Sequence, residues 1–157
     1  MPELSQDQLS KARLRLWLKL LKSVNGIEAE IRRNLRDGHN TTLPRFDVMS
    51  ALARFPEGLK MSDLSTFLKV SNGNVTGIVD KLTEEGLAER VAVPGDRRAQ
   101  LARLTGKGRT AFEELALHHE NWINGLLDGW SPEDIDALSS RLELVLNRQN
   151  EEDASHA

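Results

Sequence analysis

"VSNGNVTGIVDKLTEEGLAERVAVPGDRRAQLARLTGKG", residues 70–108, decides the fold. Ser71 or Asn72 is placed to cap a helix, because a short polar side chain can accept from a free backbone N–H of the first turn. Val75, Ile78, Val79 and Leu82 then recur at helical steps, and Gly86 stands where a helix stops. Residues 87–93 alternate apolar and polar, "PGDRR" is turn chemistry, and "AQLARLT" alternates again, which predicts a two-stranded hairpin. Just upstream, Ser62 is a plausible cap for a shorter helix burying Leu64, Phe67 and Leu68. Short helix, tight polar turn, short helix and hairpin make a winged helix-turn-helix.

Working outward, residues 11–36 carry Trp17, Leu20, Leu21, Val24, Ile27, Ile31 and Leu35 at three- and four-residue steps. "DGHNTT" breaks that helix, and Pro44 opens another bearing Phe46, Met49, Leu52, Ala53 and Phe55. "PEGLK" reads as a turn with one β-bridge. Beyond Thr105 the chain is helical again, with Phe112, Leu115, Trp122, Ile123, Leu126, Leu127 and Trp130. "SPED", residues 131–134, starts a last helix carrying Ile135, Leu138, Leu142 and Val145. The expected fold class is mainly α with a small β-wing: a winged helix-turn-helix core flanked by N- and C-terminal dimerisation helices. The expected divisions are 1–43 for the N-terminal dimerisation helix and 44–108 for the DNA-binding region. Residues 109–150 form the C-terminal dimerisation helices, and 151–157 a disordered tail. A core of this size covers only part of the long apolar stripes at the two chain ends, so a two-fold homodimer is expected to bury them. A monomer packing its own ends is the alternative.

The 157 residues have a formal net charge of -3, unevenly distributed. Residues 1–40 and 41–110 each carry a net +3, and residues 111–157 a net -9. Two basic thirds masked by an acidic one fit a polyanion partner, although solvated helix surface gives the same pattern. There is no cysteine, which excludes disulfides, thiolate metal sites and thiol redox sensing. No apolar run is long enough to span a bilayer, so no membrane association is expected. "MPELSQDQLSK" lacks a basic segment followed by an apolar stretch, so a cytoplasmic location is expected.

Enzyme motifs are missing: no Gly-x-Ser-x-Gly, no phosphate-cradling glycine loop, no His-Glu-x-x-His. His118 and His119 lie about 100° apart around a helix and cannot form a one-face metal pair. Neither a metal nor a cofactor is expected. Candidate DNA-reading residues are Ser71, Asn72, Asn74 and Thr76, on the polar face of the helix, with Lys81 one turn on. Their amides and hydroxyls suit base edges and phosphates of double-stranded DNA. The plain alternative is capping and solvation. Arg97 at the hairpin tip is suited to a narrow minor groove. Arg98, two residues from Asp96, is expected to pair with it as a wing brace.

Taken as a set, residues 70–108 resemble the MarR family of winged helix-turn-helix transcription regulators. The matching marks are the polar helix start, "VDKL..EGL", and Asp96, Arg98, Leu104, Thr105 and Gly108 in an Asp-x-Arg…Leu-Thr-x-x-Gly spacing. The resemblance implies a homodimer joined by the terminal helices, the 72–85 helix in the major groove and the wing in the minor groove. It assigns Arg97 as the wing contact, with Asp96 and Arg98 as the brace. Gly77 departs from the pattern, standing where many relatives have a basic or bulky residue. The resemblance also implies a small effector, usually aromatic, that releases a dimeric repressor from a pseudo-palindromic operator. Candidate effector residues are Trp17, Leu21, Asn25, His39, Arg45, Phe46 and Met49, with core packing the plain reading of Trp17, Phe46 and Met49. "LRLWLKLL" and "TTLPRFDVMSAL" resemble members linked to aromatic-acid catabolism, some of which sense acyl-CoA thioesters; Arg32, Arg33 and Arg36 would then meet nucleotide phosphates. The competing function is a winged helix used only for protein interaction.

Overall fold

The computed structural model describes residues 4–156. In chain order it contains α1 (Gln6–His39), α2 (Leu43–Arg54), β1 (Leu59–Lys60), α3 (Met61–Leu68) and α4 (Asn72–Glu84). These are followed by β2 (Ala88–Val93), β3 (Asp96–Leu104), α5 (Gly106–Leu126) and α6 (Pro132–Ser155). The three strands form one antiparallel sheet in the order β1-β3-β2. Contacts divide the chain into two units, Met1–Trp122 and Ile123–Ala157.

Local chemistry explains where the elements begin and end. Ser5 caps α1 through a reciprocal capping box with Gln8, and Ser131 does the same for α6 with Asp134, ahead of Pro132. Ser71 caps α4, its hydroxyl accepting from the Asn74 N–H at 3.4 Å, and Gly86 follows the helix at φ +73°. The cap expected at Ser62 is displaced: Lys60 occupies the N-cap of α3 and offers no side-chain bond.

The core of the first unit gathers Val48, Met49, Leu52, Leu64, Val75, Val79, Leu82, Ala88, Ala102 and Leu104. Thr105 joins this core to α5. Its hydroxyl donates to the Gly86 carbonyl at 2.6 Å and accepts from the Gly108 N–H at 3.0 Å, while its own N–H donates to the Leu87 carbonyl. Two further expectations change. Phe67 is half-exposed rather than core, edge-on to Phe55 and with the Arg54 guanidinium 5.9 Å from its ring. The segment 151–157, expected to be a disordered tail, is helical through Ser155 because nothing in "EEDAS" interrupts the preceding helix; Ala157 lies outside the described residues.

Of the apolar positions on α1, only Ile31 and Leu35 are buried. Leu14, Leu16, Trp17, Leu18 and Val24 are each more than half exposed. In α6 no residue is buried, and Leu144, Val145 and Leu146 stand open.

Candidate nucleic-acid interface

The faces of α4 divide as its sequence implies. Val75, Val79 and Leu82 are inside, while Asn72, Asn74, Gly77 and Lys81 are exposed. Thr76 is half-buried at the edge of that face. Ser71 is exposed but its oxygen is engaged as the helix cap, so what it retains for a ligand is its hydroxyl proton. A Cβ added at Gly73 or Gly77 meets nothing within 4 Å, so the helix surface is open along this stretch. Asp80, on the same helix, is neutralised by Arg90 of β2 at 2.6 Å. That pair ties the helix to the wing and was not legible in the sequence.

The wing differs in construction from a simple hairpin with arginines at its tip. The turn itself is Pro94-Gly95, with Gly95 at φ +81°, a backbone geometry that suits glycine at the second turn position. Val93 pairs with Asp96, but Ala92 pairs with Gln100. Arg97, Arg98 and Ala99 therefore have no partner across the ladder and form a bulge on β3. Both arginines are exposed. The brace exists in altered form: the Asp96 carboxylate accepts the Arg98 backbone N–H at 3.0 Å, and among the described residues no ion pair joins the two side chains. Two residues of separation favour this short Asx-type bond over a reach to the far guanidinium.

The effector candidates separate into groups. His39, Arg45 and Met49 line one cavity of about 420 Å³ together with Asn40, Thr41 and Glu85. Inside it Arg45 makes a two-pronged ion pair with Glu85, one bond at 3.0 Å, and the Arg45 Nε is buried without an acceptor. The bonded guanidinium holds the Glu85 carboxyl below its ordinary range, against a smaller opposing effect of burial. Lys107 donates to the Glu85 carbonyl at 3.0 Å. Phe46 is core, stacked on His119 at 4.8 Å and against Phe112 at 5.6 Å. His39 also packs on His118 and Trp122. Arg32 lines a second, smaller cavity of about 170 Å³ with Asp47, whose carboxyl is pushed up by burial and by Glu28, against the pull of Arg32 and His119. Arg33 is exposed, and Arg36 pairs with Asp37 at 3.1 Å. Trp17, Leu21 and Asn25 lie on the exposed part of α1. At about 1.5 Å per residue, Trp17 is roughly 33 Å along the helix from His39, so one chain alone does not assemble this set.

Among the described residues no His, Asp and Glu cluster fits a metal ion, and no helix is long and apolar enough to cross a membrane.

Known proteins share this fold. The MarR family model matches residues 39–99. The uncharacterized HTH-type transcriptional regulator YkoM of Bacillus subtilis is 33% identical over 125 residues, spanning 79% of this chain and 77% of that protein. A crystal structure of a MarR family transcriptional regulator from Silicibacter pomeroyi superposes with a TM-score of 0.73 at 33% identity, over 93% of this chain and 99% of the other. Streptococcus pneumoniae FabT, crystallised in complex with DNA, shares the fold with a TM-score of 0.75 at 24% identity, over 88% of this chain and 98% of its own.

Proposed function

This chain belongs to the MarR family of DNA-binding transcriptional regulators, and from that premise we propose that it acts as a cytoplasmic homodimeric repressor of a pseudo-palindromic operator. It is a regulator, not an enzyme. In this reading α4 enters the major groove, where Asn72, Asn74 and Thr76 meet base edges and Ser71 and Lys81 meet phosphate. Arg97 enters the minor groove, and the bond from Asp96 to the Arg98 N–H holds the bulge that aims it. The observation that carries the reading is the pairing of an open, polar helix start with an unpaired arginine bulge, joined by Arg90 and Asp80. Two such units address half-sites about one helical turn apart.

Release falls to a small aromatic effector, an aromatic acid or its CoA thioester. The cavity holding His39, Arg45 and Met49 supports this, because its arginine can exchange one carboxylate for another. Arg32, Arg33 and Arg36 would take the phosphates of a thioester, and Trp17, Leu21 and Asn25 would come from the partner subunit. Such a ligand lowers DNA affinity only through preferring the non-reading arrangement.

A gel-shift titration at two salt concentrations tests the DNA mechanism. Arg97→Ala is expected to weaken operator binding by about 1–3 kcal/mol and to flatten the salt dependence. Equal affinity and equal salt slope would remove the wing from the mechanism.

A further inference from the structure

We propose that the cleft between the wing and the start of α3 grips the sugar-phosphate backbone of the duplex, with Lys60 and Arg98 as its two cations. The proposal rests on the DNA-reading function above and adds a contact surface to it. The cleft is about 350 Å³, lined by Lys60, Met61 and Ser62 on one side and by Arg97, Arg98, Ala99 and Gln100 on the other.

Backbone geometry creates it. Pairing of Lys60 with Leu101 docks the start of α3 against β3, immediately after β3 rejoins the ladder beyond the bulge. Because Asp96 is satisfied by the Arg98 N–H, the Arg98 guanidinium is not consumed by the brace. Among the described residues none of Lys60, Arg97 and Arg98 enters an ion pair, and no carboxylate lines the cleft. With no carboxylate in the cleft wall and no ion pair to any of the three among the described residues, these cations repel one another, and an anion between them relieves that repulsion. The Ser62 hydroxyl supplies a neutral donor on the same wall.

Position identifies the anion. A side chain inserted into a minor groove about 6 Å wide is flanked by both backbones, so cations at the root of that finger meet phosphate. Such contacts set register and orientation and carry no sequence information. Lys60 is thus a positioning residue for Arg97, contributed by an element outside both the reading helix and the wing.

The test uses the full chain and two duplexes, one enriched by the protein from a random-sequence pool and one scrambled, with binding followed by fluorescence anisotropy across a salt series. Lys60→Gln and Arg98→Gln are each expected to weaken both duplexes by the same factor and to reduce the salt slope by about two, one for each subunit of the dimer. Lys60→Arg is expected to keep the wild-type slope. Thermal melts of these exposed-site variants establish that folding is intact. Wild-type slopes in both Gln variants overturn the proposal, as does a loss confined to the enriched duplex, which would make these residues base readers. If the wild type itself binds neither duplex, the DNA-reading function is what fails.

Discussion

A Cβ placed on Gly108 would sit 1.8 Å from the Leu87 carbonyl oxygen and 2.7 Å from its carbon. Those are backbone atoms, already held by the Thr105 N–H, and they cannot swing away as a side-chain tip can. Gly108→Ala must therefore displace the start of α5 from the wing base, and a loss of about 3 kcal/mol is expected in chemical denaturation. A near-wild-type midpoint would show that α5 can slide there at little cost. This accounts for the Leu-Thr-x-x-Gly spacing: Leu104 is core, Thr105 caps α5 and binds the end of the reading helix, and Gly108 allows the close approach. The residue types were legible in the sequence, and so was the spacing. The reason for them was not, since Leu87 lies 21 residues upstream of Gly108 and only the fold brings them together. The Asp96 bond falls on the Arg98 backbone rather than on its expected side chain, because a backbone N–H leaves no mark in a sequence.

Among the elements, α2 and α4 are fastened by Arg45 and Glu85, forty positions apart. Periodicity marks buried faces, so it found Val75, Val79 and Leu82; it is blind to a polar bond between two helices. Arg45 was singled out in the sequence as an effector residue, yet its partner Glu85 was not. The pair also imposes a pH dependence. The Glu85 carboxyl is lowered in the folded protein, so the stabilisation is complete above its ordinary pKa and is lost as pH falls through the folded value. With side chains 22% and 43% exposed, screening limits the contribution to about 1 kcal/mol or less. Glu85→Gln is thus expected to lower stability by up to that amount at neutral pH, with the difference from wild type closing in acid. Denaturation midpoints measured at both pH values check this. A deficit that persists unchanged in acid would assign the effect to packing instead.

For the whole molecule, the decisive feature is apolar surface that the single chain leaves in water. Leu14, Trp17, Leu18 and Leu21 share one face of α1 at three- and four-residue steps and are all exposed, which is the pattern of a helix face covered by another helix. The sequence showed these stripes and the structure leaves them open, as the dimeric reading requires. Trp17→Glu is expected to shift sedimentation from dimer to monomer. It should also reduce operator affinity by about a hundredfold or more, since two linked reading units gain that much over one. A wild type that sediments as a monomer at every concentration removes the two-fold arrangement altogether.

The surplus residues of β3 have a consequence for how such a protein changes over time. They lie beyond the last regular rung, Ala92 with Gln100, so the rungs from Ala88 to Ala92 keep their inward and outward alternation whatever the tip contains. Adding or removing a residue among Arg97–Ala99 alters the reach of the finger without inverting the faces of the sheet beneath it. If the wing reads DNA as proposed, its target preference can therefore drift by insertion and deletion, a kind of mutation that a regular ladder would not survive.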